Sequence, residues 1–373
     1  MKKSYITWNM KEQDGNLWFS FMNINGLCKV SLNKNKAEFI GYFEKEDFDQ
    51  QLLYADIDIK EDNIILAPFN GKEIAIFDMK SNIIKYIPFE NYENENLNNQ
   101  YAKYSNLFTW KNNIFILGYS FPMIIKIDMQ TNEVEYIYDF KFEIEQQIAE
   151  NESRGFFTEG YFIKNEKAYL PIGCLGAVLE LDLNSNCSKI IKLKCNLDGI
   201  GALVLDQNEM VWLVGRGKKN NILVKWDINN NSFSEWKIPN IDKSCWDPFH
   251  TISCLEDKVI LWPSSAQKII FFDLSKNEMK ELNVVEVYSK NEFSHFSWTT
   301  LAPVEVLDKI IFISGRNGKW FELDKKDLSI SEFNIDWNSI DFYYYEKKME
   351  RILETGEIVS EKTMPIQYFF RFI

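Results

Sequence analysis

The sequence predicts an all-β fold, and three observations carry that prediction. Apolar runs of strand length alternate with polar turn residues along almost the whole chain, as in Met210–Val214, the Gly215–Asn221 loop and Ile222–Trp226. That is the grammar of a β-meander. One signature recurs, an aliphatic run ending in Asp and followed four residues later by Asn, at Asp78/Asn82, Asp128/Asn132, Asp182/Asn186, Asp227/Asn231 and Asp273/Asn277. A weaker copy is Asp324-Lys-Lys-Asp-Leu, and the first copy has Asn33-Lys-Asn-Lys in its place. The copies are also evenly placed, with steps from position 33 of 45, 50, 54, 45, 46 and 51 residues. A period of about 40–50 residues carrying four strands is the mark of propeller blades. The expectation is a seven-bladed β-propeller of four-stranded antiparallel blades over residues 1–337, with a C-terminal extension over 338–373 packed on it. Six blades with an irregular seventh unit is the alternative, because the first and last copies are the poorest.

Taken in order, unit one places strands at Tyr5–Asn9, Leu17–Met22, Leu27–Leu32 and Ala37–Tyr42. All four come from one segment, so the ring should lack a closing blade shared between the two ends. Unit two has Tyr54–Ile59, Ile64–Pro68, Ile74–Phe77 and Ile83–Ile87; unit three has Leu107–Trp110, Ile114–Gly118, Ile124–Ile127 and Val134–Tyr138. Unit four has Phe157–Ile163, Ala168–Pro171, Ala177–Leu181 and Lys189–Leu193, and unit five adds Gly201–Leu205 before its two strands above. Unit six runs through His250–Leu255, Val259–Trp262, Ile269–Phe272 and Met279–Leu282, and unit seven through Trp298–Val306, Ile310–Ser314, Trp320–Leu323 and Leu328–Phe333. Beyond Trp337 the pattern stops; Asp341–Leu353 suits an amphipathic helix and Ile366–Ile373 a strand. Each Asp/Asn pair, taken singly, marks a hairpin turn, with Asp capping the turn and Asn in the left-handed conformation. It lacks the run of oxygen ligands and closing Glu of a calcium loop.

Composition narrows the function. Aromatic residues make up 15% of the chain, with 11 Trp, 17 Tyr and 29 Phe, enough to fill wedges between twisted sheets. There are 42 basic against 55 acidic residues, a net charge of −13, which argues against nucleic acid and against an anionic membrane as partners. Charged residues follow the first lysines too early for a secretory leader, and no apolar run reaches spanning length. The six cysteines, Cys28, Cys174, Cys187, Cys195, Cys245 and Cys254, form no Cys-x-x-Cys pair. Such scattered thiols suit a reducing cytoplasm. Three acidic linkers, Glu44–Asp49, Glu90–Glu95 and Asp139–Arg154, net −3 each and so supply −9 of the total. They should make one sector of the loop-rich face acidic, or else be plain solvated loops.

Aligning the units on their second strands places Ala55, Ser105, Glu159 and His250 at one position near the mouth of the central channel. Tyr54, Tyr104, Thr158 and Phe249 stand just before them, and unit seven offers His295 and Trp298. The loops after the second strands supply Tyr119, Gly173, Cys174, Arg216, Ser264, Ser265, Arg316 and Asn317, while Lys103, Lys218, Lys219 and Lys319 add positive charge nearby. The candidate catalytic residues are therefore His250, His295 and Glu159. Candidate ligand contacts are Tyr54, Lys103, Tyr104, Glu159, Arg216, His250, His295, Trp298 and Arg316. Imidazoles and a carboxylate suit acid–base work, and paired arginines suit a carboxylate or phosphate. His and Glu are also metal-ligand types, although no metal or cofactor is expected here. The plainer reading has the histidines satisfying local backbone groups and the arginines pairing with the acidic linkers. Trp246-Asp-Pro and Phe293-Ser-His-Phe-Ser-Trp298 are aromatic clusters that either stack on a sugar or peptide or plug the channel. No nucleophile elbow, phosphate loop, His-Glu-x-x-His or dinucleotide fingerprint is present in the sequence.

By these repeats the chain, over about residues 5–337, resembles the β-propeller superfamily, in the company of Kelch-like and other bacterial propeller repeats. The paired glycines of Kelch strands and the Trp-Asp blade ending are absent, so no active-site residues carry over. The resemblance implies a binding platform in many relatives and, in some bacterial ones, a lyase using His and Glu with a metal. The expected function is a non-catalytic binding or scaffold role, recognising a protein, peptide or small ligand on the loop-rich face, for example a cationic partner against the acidic linkers. The alternative is a lyase or hydrolase acting on an anionic or sugar-like substrate in the channel. A third reading is a structural propeller that oligomerises through its tail.

Overall fold

A computed structural model describes residues 5–48, 50–89, 102–147, 155–217, 221–242, 245, 247–282, 287, 298–340 and 346. Within them, 28 strands, numbered β1 to β28 along the chain, form seven four-stranded antiparallel sheets, each from four consecutive strands. Among the described residues there are seven blades, and none of them is shared between the two ends of the chain. The innermost strands are β1 (Lys11–Gln13), β5 (Tyr54–Lys60), β9 (Tyr104–Trp110), β13 (Phe162–Lys164), β17 (Gly199–Leu205), β21 (Phe249–Cys254) and β25 (Thr300–Val306).

The repeated Asp builds the hairpin between the third and fourth strands in blades two to seven, joined by the Asn in blades two to six. Oδ1 of Asp78 accepts the N–H groups of Lys80 and Ser81, and Asp128, Asp182, Asp227, Asp273 and Asp324 each accept from the residues two and three further on. Asn82, Asn132, Asn186, Asn231 and Asn277 all have φ between 49° and 59°, where Asn is tolerated better than most residues. The signature is thus turn chemistry, and its even spacing reflects blade size. These N–H groups hold the carboxyls of Asp78, Asp128 and Asp182 below the usual range.

Two inner strands differ from the sequence expectation. The first strand of blade one is Lys11–Gln13, which pairs with Asn16–Trp18; Tyr5–Asn9 instead crosses the end of the ring as irregular chain. In blade four, Phe157 makes a single bridge to Ile172 and regular pairing resumes only at Phe162. Here the inner edge is interrupted by Gly160, whose φ of +87° and close approach to the Leu203 carbonyl leave no room for a side chain.

The core lies between blades. Seven apolar clusters occupy the seven blade–blade interfaces, for example Trp18 and Leu27 of blade one against Ile57, Leu66 and Phe77 of blade two. A backbone hydrogen bond staples the loop-rich face across several of these joints. The N–H entering the next inner strand donates to the carbonyl just after the preceding blade's second strand: Leu52 to Met22 (2.8 Å), Lys103 to Phe69 (2.8 Å), Phe156 to Tyr119 (2.9 Å) and Thr299 to Ser264 (2.7 Å).

Closure joins blade seven to blade one. The Trp320 indole N–H donates to the Tyr5 carbonyl at 2.9 Å, and Tyr5 stacks on Trp337 with centroids 4.7 Å apart. The chain after blade seven then lies alongside the outer strand of blade one. Lys36 and Asp336 form a parallel bridge, and Ala37 and Asp336 donate to the Asp336 and Asn35 carbonyls. Ile340 is buried in the same cluster. The helix and strand expected after residue 340 lie outside the described residues, Glu346 aside.

Trp320→Ala should lower the unfolding free energy by about 3–5 kcal/mol, the usual cost of emptying a large aromatic site, read from urea denaturation. A loss below about 1 kcal/mol would show that closure is held elsewhere.

Candidate functional site

The channel is lined by the starts of the inner strands, where the pairing slips by a residue. Tyr54 faces Pro68 but Asp56 faces Ala67, which leaves Ala55 unpaired; Ser105, Gly201 and His250 occupy the same place in their blades. A bulge of this kind re-aims a side chain out of the sheet alternation. The Phe157–Ile172 bridge gives that position in blade four to Thr158. Glu159 therefore falls one residue deeper than the sequence alignment placed it, level with Asp56, Asn106, Ala202 and Thr251.

The slip divides the channel into two chambers. The upper one, on the loop-rich face, has a volume of about 190 Å³ and is lined by Trp8, Phe69, Ser105, Tyr119, Thr158, Glu159, Gly201, Arg216, Asp247, His250 and Trp298. Five rings run round its wall as an unbroken arc. Tyr119 to Phe69 is 6.2 Å between centroids, Phe69 to Trp8 5.5 Å, Trp8 to Trp298 4.6 Å, and Trp298 to His250 4.8 Å.

Blades four and five complete the wall with polar groups. Arg216, 6% exposed, has Nε 3.6 Å from Asp247, Nη1 donating to the Gly155 carbonyl at 3.2 Å, and Nη2 3.5 Å from the Tyr119 hydroxyl. Gly155 is required there, because a Cβ would stand 2.1 Å from Arg216 Nη1 at a φ of +77°. Burial raises the pKa of Asp247, opposed by Arg216. His250 is 4% exposed, and among the described residues neither ring nitrogen has a well-formed hydrogen bond. Burial lowers its pKa to about 3, with the Trp262 backbone acting weakly the other way, so the imidazole is neutral at ordinary pH.

The lower chamber, about 380 Å³, continues past Glu159 to Asn9, Lys11, Asp56, Asn106, Tyr161 and Thr251. Asp56 accepts from Asn9 Nδ2 (3.1 Å) and from the N–H groups of Ile57 (2.9 Å) and Leu107 (2.8 Å). Burial raises the pKa of Glu159, and the Asp56 charge adds to the rise; Asn9 and Lys11 oppose it. Burial also raises Asp56, opposed by Lys11 and the two backbone donors. For Lys11, burial lowers the pKa, but Asp58 at 3.8 Å and Asp56 outweigh it, so the ammonium keeps its proton.

Of the sequence candidates, the structure brings His250, Glu159, Arg216 and Trp298 to one chamber. Tyr54 and Tyr104 are buried in the wedges between blades, against Phe43 and against Phe89 and Phe121. Lys103 is buried with Nζ donating to the Gly71 carbonyl at 2.8 Å, a support for the loop and no part of the chamber wall. Arg316 is on the same face, with Nη2 3.5 Å from Thr299 Oγ1, beyond the chamber lining. Lys319 pairs with Glu332 at 2.6 Å. His295, Lys218, Lys219 and Trp246 lie outside the described residues.

The acidic linkers are partly structural. Glu46 is buried and accepts the Lys72 N–H at 2.6 Å, while Lys45 pairs with Glu73 and Asp47 with Lys72. The third linker carries a short helix, α1 (Lys141–Glu145), that buries Ile144, and Asp139 accepts from Ser188. The Glu90–Glu95 linker and the end of the third lie outside the described residues. Trp8 and Phe69 were missed as wall residues. Phe69 could have been found, because it follows its second strand at the same place as Tyr119 and Arg216; Trp8 could not, because its segment read as a strand.

The chain is a seven-bladed β-propeller with an aromatic-walled channel mouth. No protein family's sequence profile matches it, and no curated protein matches it in sequence. Solved structures that resemble it share the ring. One is a catalytically inactive variant of virginiamycin B lyase from Staphylococcus aureus with quinupristin, at TM-score 0.62 and 15% identity over 84% of this chain and 93% of that one. Another is the extracellular domain of a one-component system from B. thetaiotaomicron, at TM-score 0.60 and 10% identity over 88% of this chain and 42% of that one. A third is a chain of the mitotic checkpoint complex, at TM-score 0.56 and 8% identity over 88% and 87%. At these identities the likeness concerns the fold alone.

The raised carboxyls have a measurable consequence. A group whose folded pKa lies above its unfolded one makes the folded state bind more protons, so stability falls as pH rises. For Glu159 and Asp56 the contribution is full in acid and is lost from the ordinary carboxylate range up through neutrality. Glu159→Gln should flatten this slope and, at pH 8, stabilise the fold by at least about 1 kcal/mol, read by urea denaturation at pH 5 and pH 8. Equal slopes in the two proteins would refute the assignment.

Proposed function

We propose that the protein is a non-catalytic binding propeller whose ligand, a small molecule or one side chain of a peptide or protein, seats in the upper chamber. The observation that carries this reading is His250, a buried imidazole with no well-formed hydrogen bond at either nitrogen among the described residues and only the Trp262 backbone acting on it, in the wall of a chamber that combines four further aromatic rings with the Arg216–Asp247 pair. Leaving such groups unpaired costs on the order of 1–3 kcal/mol each, a cost that an occupant offering hydrogen bonds recovers. Convergent polar groups in an apolar concavity are the ordinary form of a ligand site.

Recognition is supported better than turnover. The imidazole is neutral and, among the described residues, no carboxylate orients it, so it is suited to hydrogen bonding more than to relaying protons. The recessed chamber is also a stronger anchor than the first acidic linker, where Glu46 and Asp47 both engage the local Lys72. We place the protein in the cytoplasm, a reading supported by its six free thiols.

Native mass spectrometry of protein purified gently from its own host should find a retained molecule that is lost in both His250→Leu and Trp298→Ala. The melting temperatures should move by less than about 4 °C. Retention unchanged in both variants, or no retained molecule in the parent, would count against a small ligand in the chamber.

A further inference from the structure

We propose that the upper chamber selects an uncharged planar ring compound bearing an N–H or O–H donor, about the size of one fused bicycle. This rests on the binding reading above and adds the class of ligand. Three features of the wall lead to it.

The first is the arc. Tyr119, Phe69, Trp8, Trp298 and His250 come from blades three, two, one, seven and six in turn, and successive centroids are 4.6 to 6.2 Å apart. A wall of tilted rings presents faces and edges to a flat guest, which then stacks on one ring and meets the edge of another.

The second is charge. The guanidinium in the wall is already ion-paired with Asp247 at 3.6 Å and bonded through Nη1 and Nη2 to the Gly155 carbonyl and the Tyr119 hydroxyl, although its Nε makes no hydrogen bond among the described residues. An anion would have to displace Asp247 and sit near Glu159. A cation would gain from the rings but would face Arg216 at close quarters. A neutral guest leaves the pair intact.

The third is polarity. The Thr158 hydroxyl donates to the Ile200 carbonyl at 2.7 Å and the Ser105 hydroxyl to Phe157 at 3.4 Å, so these two have spent their donors. His250 has not spent its acceptor: a neutral imidazole offers one N–H and one lone pair. A guest with its own donor fills that lone pair. A chamber of about 190 Å³ is smaller than the roughly 300–1,000 Å³ of drug-sized sites, which limits the guest to a single ring system.

The test is a calorimetric titration of the full chain at pH 7 with four probes on one ring system: indole, N-methylindole, indole-3-acetate and tryptamine. Indole should bind at least about tenfold, or 1.4 kcal/mol, more tightly than each of the other three. His250→Leu should erase its advantage over N-methylindole, and Trp298→Phe should largely keep it. A charged probe binding as tightly as indole, or N-methylindole matching it in the parent protein, overturns the proposal. If none of the probes binds or displaces a host molecule whose retention depends on Trp298, the ligand class is wrong and the binding reading stands. If no host molecule is retained either, both fall.

Discussion

The structure depends on one backbone hydrogen bond repeated, among the described residues, at four of the seven joints, the N–H entering a new inner strand donating to a carbonyl just past the previous blade's second strand. Loop backbone groups near a channel must find partners or remain solvated. At these four joints the partner is the neighbouring blade, so satisfying the loop also helps set the angle between sheets. Two of the acceptor residues, Phe69 and Tyr119, turn their rings into the upper chamber. The wall of the candidate site is therefore built from the joints of the ring, and the scaffold that positions it is as rigid as the inter-blade packing beneath it.

The bulges set depth. With regular alternation, Ala55, Ser105, Gly201 and His250 would continue the sheet pattern; unpaired, they give the top of the channel side chains that pairing does not dictate. Below them, the paired positions carry Asp56, Asn106 and, in blade four, Glu159. One residue of slip thus separates a mouth of aromatic rings and a neutral imidazole from a waist of carboxylates matched by Lys11.

Architecture was legible in the sequence because it is written in local chemistry. Asp side chains capping turns and Asn in the left-handed region recur at the third hairpin of five blades, and their even spacing, extended by the weaker copies at either end, counts the blades. The outer three strands of each unit were legible for the same reason. The inner ones were less so: Tyr5–Asn9 has a strand's composition, yet Tyr5 is held by Trp320 and Trp337, over 300 residues away. The candidate site was legible in part. His250, Arg216 and Trp298 follow from position within the repeat, whereas Lys103, Tyr54 and Tyr104 share that position approximately and point into wedges. Which way a side chain turns at a bulge depends on pairing register, and a single sequence does not reveal a slip of one residue.

Closure without a shared blade bears on how the chain reaches this state. Every sheet forms from neighbouring hairpins, so nearly all pairing is local in sequence and rapid. The Tyr5–Trp320 contact spans 315 residues and pays the full entropy of joining the ends. The contacts thus fall into two unequal kinds, those that extend an open arc of blades and the one set that closes it. The half-built arc exposes the faces of its first and last blades, and that seam is where two copies growing at high concentration would exchange partners instead of closing on themselves.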